Sequence, residues 1–416
     1  MDETDERDDG MSKPLEGIKV VEVSMWAYVP SAGAVLADWG ADVVKIESPV
    51  GDPIRGLVNA GVGAMDGITF TWEIFNRGKK GMALDLTNPE AQEIVYKLVA
   101  DADIFLTSLL PPVRAKLGVD LEHIRARNPQ IIYAAGTGQG AGGPEANRGG
   151  YDSITFWSRG SISASVTPPD YHRPVGMPAG AFGDSISGMA LAGGVAAAVA
   201  RRALTGETSV VEGSLLGTAM WAMQMGIVGA AVAAAAPPAA APAAAAPTVA
   251  NALVYSYKTA DDRWVALCML QPDLYWEGVC QVLEREDMLA DPRFATPADR
   301  AAHGSDIVAE LEKTFATKPL AHWTDALSRQ KGQWDVVKLV SEVGFDNQAV
   351  VNGFIQQVSY PGERSLPIVA NPVQFDRTPP VLQPAPEFGA DTDEILASLG
   401  MDADAILEAK ISGAVV

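Results

Sequence analysis

Short β-branched runs alternate with helical spacings along the first half of the chain. Ile18-Lys-Val-Val-Glu-Val23, bounded by Gly17 and Ser24, reads as a buried strand. Just after Pro30 the apolar positions Ala32, Val35, Leu36 and Trp39 take up helical spacing, Asp38 falls on the other face, and Gly40 stops the helix. Ala41-Asp-Val-Val-Lys-Ile-Glu47 is the next strand, so the pattern predicts a βαβ unit and a parallel sheet. Further strands are expected at Met82–Leu86, Asp103–Thr107 and Ile131–Ala135. Helices are expected from Asn88, a capping residue before Pro89, to Leu98, and at Leu121–Arg127. Val210–Leu216 reads as another buried segment.

The pattern changes in the second half. Ile227–Ala246 is mostly alanine and holds Pro237, Pro238 and Pro242, which argues for a linker and against a membrane span. Ala250–Met269 predicts a hairpin turning at Asp261-Asp262, in a second, smaller domain. Helices follow at Leu274–Leu283 and Ile307–Phe315, with Trp276 and Trp323 as core. Leu366–Ala370 reads as a strand that Pro367 confines to an edge, and Asp393–Leu399 and Ala405–Ile411 as short helices.

Length and charge narrow the class. The chain has 416 residues and a formal net charge of -21. That length predicts two domains or more, and that charge disfavours nucleic acid and anionic membrane as partners. Two cysteines, Cys268 and Cys280, read as buried thiols of a cytosolic protein, and no zinc-binding spacing occurs. The N-terminus is acidic, polar and unlike a signal peptide, so it reads as a disordered tail.

Carboxylates are the candidate chemistry, since neither a His/Cys pair nor GxSxG is present. Asp184 closes a Gly/Pro-rich loop and opens a run of small apolar residues that reads as a helix ending at Thr205-Gly206. It suits a helix cap, and it equally suits a nucleophile that attacks an activated acyl group. Asp152, after Gly150-Tyr151, reads either as a turn carboxylate or as a second acid of the site. Arg55, Arg77, Lys79, Lys80 and Lys116 fall in loops near strand ends, where phosphate groups of a ligand would be met. Gly136-Thr-Gly-Gln-Gly-Ala-Gly-Gly-Pro144 follows a strand, but its spacing is not GxGxxG and it opens no long helix. Its glycines would instead let backbone N–H groups approach a ligand, and those groups could hold oxyanions. Trp157, Met177 and Met223 are candidates for an acyl pocket or for core packing.

Taken as an ordered set, these motifs resemble the family III CoA-transferases. The resemblance rests on Pro14–Val23, Leu36–Glu47, Asn76-Arg-Gly-Lys-Lys80 before Leu84-Asp-Leu86, Gly150-Tyr-Asp152, Gly183-Asp184 with its helix, Arg202–Gly206 and Asp391–Leu396. It implies an α/β fold: a large Rossmann-like open parallel-sheet domain built from both chain ends, a smaller α+β domain, and an interlocked homodimer. The implied layout is an acidic tail (1–13), the first part of the large CoA-binding domain (14–225), an Ala/Pro linker (226–249), the small domain (250–343) and a return segment (344–416).

The implied activity is a cytoplasmic transfer of CoA between an acyl-CoA and a carboxylic acid through covalent intermediates on Asp184, with no permanently bound cofactor and no metal. Asp152 matches a second acidic position. Trp26, Ala27 and Tyr28 match a CoA-contacting loop, and Lys79 a basic position near the nucleotide. Arg55, Arg77, Lys116, Thr137 and Tyr151 complete the expected CoA contacts. The related α-methylacyl-CoA racemases carry His where Tyr151 stands, and Tyr, with an ordinary pKa near ~10, is a poor base. An isomerase, a non-catalytic CoA-binding protein and a dehydrogenase using the Gly136 loop are the alternative readings. The family's C-terminal Gly-Glu-His-Thr stands here as Gly389-Ala-Asp-Thr392.

Overall fold

The computed structural model describes residues 13–60, 64–65, 67–235 and 249–416. The acidic tail and most of the Ala/Pro stretch lie outside the described residues. Two compact units are present: Met1–Val232 with Asn347–Val416, and Ala233–Asp346.

The first unit is built on six parallel strands: β1 (Lys19–Val23), β2 (Asp42–Glu47), β3 (Lys80–Ala83), β4 (Ile104–Thr107), β5 (Ile132–Thr137) and β6 (Val210–Ser214). Their order across the sheet is β3-β2-β1-β4-β5-β6, the doubly wound order, which reverses direction between β1 and β4. Successive strand residues feed opposite faces. Val21, Val23, Phe105 and Tyr133 pack into one core, and Val20, Ile104, Leu106 and Ile132 into the other. Burial on both sides is what an all-parallel sheet requires, and it explains the near-continuous apolar runs read from the sequence.

Helices α1 (Tyr28–Asp38), α2 (Phe70–Asn76), α3 (Pro89–Ala100), α4 (Pro111–Lys116), α5 (Leu121–Arg127), α6 (Ile162–Val166), α7 (Phe182–Thr205), α8 (Leu215–Ala222) and α9 (Gln224–Ala235) complete the N-terminal part. The Asn88 side chain caps α3 by accepting from Glu90 N–H, and Gly206 ends α7 at φ +75°. The chain returns to the sheet at its end. Asp391 Oδ2 accepts from Gly81 N–H at 2.7 Å, Thr392 Oγ1 accepts from Ala83 N–H at 3.3 Å, and Leu396 and Val415 join the core. The altered C-terminal motif therefore covers the edge of β3.

The second unit has an antiparallel sheet of Val254–Lys258, Trp264–Cys268 and Trp334–Val336, with Asp262 in the left-handed region at the hairpin turn. Helices pack on it around Tyr257, Phe315 and Trp323, and Trp276 is buried in the same core.

Some elements differ from expectation. Helix α1 starts two residues before Pro30, and Asp38 is buried rather than solvent-facing, because it pairs with Arg77 and accepts from Asn371. Strand β3 is shifted two residues toward the N-terminus of the predicted run. Val210–Ser214 is a half-exposed edge strand, not a buried one. The first ten residues assigned to the linker fall within α9, since alanine favours helix and no proline interrupts it before Pro237. Both cysteines are free, and Cys268 is exposed where a buried thiol was expected. Helix α7 is apolar and long enough to cross a bilayer, but Gly188, Leu191, Ala192 and Val195 bury one face of it, and Gly188 lies against Ser31 of α1.

Candidate active site

The reversal between β1 and β4 opens a crevice at the C-terminal ends of the strands, where doubly wound sheets bind ligands. A cleft of about 300 Å³ lies on the β4-β5-β6 side of it. Its walls come from the loop after β1 (Met25, Trp26), the first residue of α1 (Tyr28), the loop after β4 (Ser108 to Leu110) and the ends of β5 and β6. Gly149, Gly150 and Tyr151 close one side, and Asp184 is the one carboxylate lining the cleft among the described residues.

Asp184 is the third residue of α7, not its cap. The cap position is Ala181, held in the left-handed region at φ 59° with no side-chain acceptor of its own. The missing acceptor comes from 31 residues upstream. Both Asp152 carboxylate oxygens lie 3.1 Å from the Gly183 nitrogen and accept its N–H, and the Asp184 N–H also donates to Asp152. Asp152 therefore caps α7 through space.

Asp152 opens a π-helical turn, Asp152–Arg159, that places its carboxylate under the helix start. Gly183 is required there, since a Cβ would sit 2.5 Å from Asp152 Oδ1 and inside the Phe156 ring. Phe182 seals the far side, edge-on to Phe156 and Trp157.

The electrostatics follow from this packing. Burial, reinforced by the Asp152 charge, pushes the Asp184 carboxyl up to about 7. Burial also raises Asp152, opposed by the two backbone N–H groups. The position at a helix start does not keep Asp184 fully ionised, because desolvation outweighs it. Tyr28, also buried, is held firmly protonated by burial and by the Asp184 charge.

The expected contact residues separate into two groups. Trp26, Tyr28, Thr137 and Tyr151 line the cleft beside Asp184. Trp26 adopts φ +68°, its N–H donates to Asp52, and its ring stands edge-on to Tyr151 at 5.9 Å. Ala27 faces the neighbouring apolar cluster with Ile54, Trp72 and Phe75.

The cations mostly lie elsewhere. The Lys79 side chain is fully buried, and its ammonium donates to Glu22, Pro30 O and Asn76. Arg77 is buried in a bidentate pair with Asp38. Arg55 forms a bidentate pair with Glu47, donates to Pro386 O and stacks 3.4 Å over Trp72. Arg77 and Lys79, expected as cations offered to a ligand, are each paired with an internal carboxylate. Lys116 remains exposed at the end of α4, next to Leu117.

A second cleft of about 160 Å³ continues along the ends of β1, β2 and β3 and shares Met25 and Leu109 with the first. Ser108, Leu109, Leu110, Val113 and Leu215 line the Asp184 cleft and were not singled out from sequence. Their signal was position, directly after β4 and β6. Trp157 is packed in the core with its indole N–H on Val175 O, and neither Met177 nor Met223 lines the cleft. Of the Gly-rich loop, Gly138 packs against Gly150 and Gly140 donates its N–H to Thr137 Oγ1, so part of the glycine content serves close packing. No group of His, Cys, Asp and Glu among the described residues is arranged to hold a metal ion.

Residues 15–392 match the model of CoA-transferase family III. The chain belongs to that family. It is 32% identical over 395 residues to the (R)-2-hydroxy-4-methylpentanoate CoA-transferase of Clostridioides difficile, covering 94% of this chain and 97% of that protein. It is 29% identical to the cinnamoyl-CoA:phenyllactate CoA-transferase of Clostridium sporogenes, covering 93% of each. Among solved structures, a CAIB/BAIF family protein from Brucella suis superposes with TM-score 0.79 at 25% identity, over 94% of this chain and all of that one. This family III member is accordingly a CoA-transferase, and CoA thioesters are its substrates.

Proposed function

We propose that this CoA-transferase moves CoA between an acyl-CoA and a carboxylic acid through covalent intermediates on Asp184. The observation that carries the reading is that Asp184 is the carboxylate facing the cleft, fixed at the start of α7 by Asp152 behind it. An Asp184 oxygen attacks the donor thioester carbonyl, and CoA thiolate leaves to give a mixed anhydride. The thiolate then attacks the Asp184 carbonyl, releasing the donor acid and forming an aspartyl-CoA thioester. The acceptor carboxylate attacks that thioester, and the thiolate returns to the acceptor's acyl carbon. Burial favours this chemistry, since a partly desolvated carboxylate is more basic and more nucleophilic than a solvated one.

The two clefts adjoin at Met25 and Leu109 and offer separate places for the two ends of an acyl-CoA. The nucleotide end is assigned to the cleft along β1 to β3, with the exposed Lys116 one residue from its lining residue Leu117, and the thioester to the Asp184 cleft past Met25 and Leu109. Apolar walls from Trp26, Leu110, Val113, Tyr151 and Leu215 favour acids with an apolar chain. The 2-hydroxy acids named for the two relatives are the acceptors we would try first. Among the described residues no histidine lines the cleft, which leaves an isomerase without the base that the related racemases use. We further propose a homodimer, with the exposed apolar side chains of α9, Met225, Val228 and Val232, against the second copy.

The test is CoA exchange across a panel of acyl-CoA donors and carboxylic acids. Asp184→Asn is expected to lose at least ~10⁴-fold in turnover. Retained turnover would overturn the mechanism.

A further inference from the structure

The loop after β1 carries a bulky side chain on a backbone that suits glycine. Trp26 adopts φ +68°, in the left-handed region, and is half-buried. For an aromatic residue that conformation is strained and persists only where its surroundings over-determine it. Here they do so from two sides. Met25 N–H donates to Ser108 Oγ and Trp26 N–H donates to Asp52 Oδ1, each at 3.0 Å. The same Asp52 oxygen accepts from Ile54 N–H at 3.0 Å, and the other lies 3.0 Å from the fully buried Lys45 ammonium. The strained peptide is thus anchored through Asp52 to a buried ion pair.

What the anchored backbone delivers is a wall of the Asp184 cleft. Trp26 and Tyr151 both line that cleft, and their rings stand edge-on with centroids 5.9 Å apart. Behind the cleft, Trp26 packs against the apolar cluster of Ala27, Ile54, Trp72 and Phe75. An edge-to-face pair backed by a close-packed cluster is a fixed surface rather than a swinging side chain. The cleft it bounds, about 300 Å³, is at the lower end of the roughly 300–1,000 Å³ that small-molecule pockets occupy. Glycine at position 26 would relieve the strain and widen the cleft. The strained backbone therefore serves to hold a large ring in the cleft that Asp184 faces.

We propose that Trp26, together with Tyr151, sets the upper size of the acyl group that reaches Asp184. This rests on the reading of Asp184 as nucleophile. The reacting acyl carbon must sit against an Asp184 oxygen, so the chain beyond it has only the remainder of the cleft. The Trp26-Tyr151 edge ends that space. A compact apolar chain packs its methylenes against the two rings. A longer one meets a wall that yields only by breaking the Asp52 and Ser108 hydrogen bonds or by displacing the cluster around Trp72. The substrate class is acids whose apolar part ends within this cleft, and the selection acts on chain length rather than on the carboxylate.

The test pairs Trp26→Gly, which fits the left-handed backbone and removes the wall, with Trp26→Phe, which keeps an aromatic wall. The assay uses the donor and acceptor that the wild type turns over fastest, and then acceptors lengthened at the far end by two and by four methylenes. Wild-type kcat/KM should fall with each lengthening. The ratio of kcat/KM for the lengthened acceptor to that for the parent should rise at least ~10-fold in Trp26→Gly and far less in Trp26→Phe. Tyr151→Ala opens the same wall from its exposed side, leaves the loop after β1 intact, and should shift the ratio the same way; it decides the matter if Trp26→Gly does not fold. A ratio within a factor of ~2 of wild type in these variants overturns the inference, as does a wild type indifferent to chain length. A raised KM for the acyl-CoA donor with that ratio unchanged assigns Trp26 to the CoA arm and also overturns it. Turnover in Asp184→Asn, assayed alongside, removes the nucleophile reading and this inference with it. No turnover there, with an unchanged length ratio in Trp26→Gly, removes this inference alone.

Discussion

The two halves of the sheet's C-terminal edge handle charge in opposite ways. Beside β1 and β2, Glu22, Lys45, Asp52 and Lys79 form a fully buried cluster in which every charge meets its opposite at 2.8 to 3.3 Å. Burial drives the Lys79 ammonium down to about 7, while Glu22 and Asp52 overcome burial at Lys45 and raise it. Beside β5 and α7 the charges are Asp152 and Asp184, two acids whose stabilisers are backbone N–H groups on Asp152. The first cluster is internally paired, with Asp52 at the wall of the second cleft, whereas the second cluster leaves Asp184 facing its cleft with no cation among the described lining residues. Buried charge alone does not mark a reactive site; uncompensated charge facing a cavity does.

The contrast can be broken from either side. Glu22→Ala leaves Lys79 without its anion and Lys45 with only Asp52, and should cost about 3–5 kcal/mol of stability. A urea denaturation midpoint measures this, and turnover per folded molecule should barely change. A midpoint close to wild type would mean that the cluster is not what holds this edge together.

Asp184→Asn should act in the opposite direction on stability. The folded-state pKa of about 7 lies above the ordinary carboxylate value, so the folded protein holds this proton more tightly than the unfolded chain. The ionised form therefore costs stability above pH about 7, and the cost disappears below the ordinary carboxylate pKa of about 4. The variant should melt higher than wild type at pH 8 and equally at pH 4. A lower melting temperature at pH 8 would contradict the assigned strain.

The pH profile sharpens the same point. Wild-type kcat/KM should fall as pH drops through about 7, where Asp184 takes up its proton. Asp152→Asn removes the repelling charge, so this acid limb should move to lower pH, though burial still holds it above the ordinary carboxylate range. The smallest effect is expected from Lys116→Ala. Exposed at the end of α4, it should raise KM for acyl-CoA a few-fold and leave kcat alone.

Much of the scaffold was legible in the chain. The β1-α1-β2 unit, the Asn88 cap, the Leu121–Arg127 helix, the Asp261-Asp262 hairpin turn and the helix from Asp184 to Gly206 all follow from local spacing and turn chemistry. Less of the site was legible, for a physical reason. Which cations are free depends on partners far along the chain, as with Arg77 and Asp38 or Arg55 and Pro386. Asp152 reaches α7 across 31 residues. Tyr28, the first residue of α1, seats its ring against glycines on two later strands. Local pattern fixes elements, whereas pairing across the fold decides which side chains are left over to react.

The most direct measurement of the central claim is to incubate the wild-type protein with an acyl-CoA it turns over, quench with hydroxylamine, and locate the modified residue by peptide mass spectrometry. A hydroxamate is expected on Asp184, dependent on the acyl-CoA and absent in Asp184→Asn. An unmodified Asp184 during turnover, or a label on another residue, would contradict it.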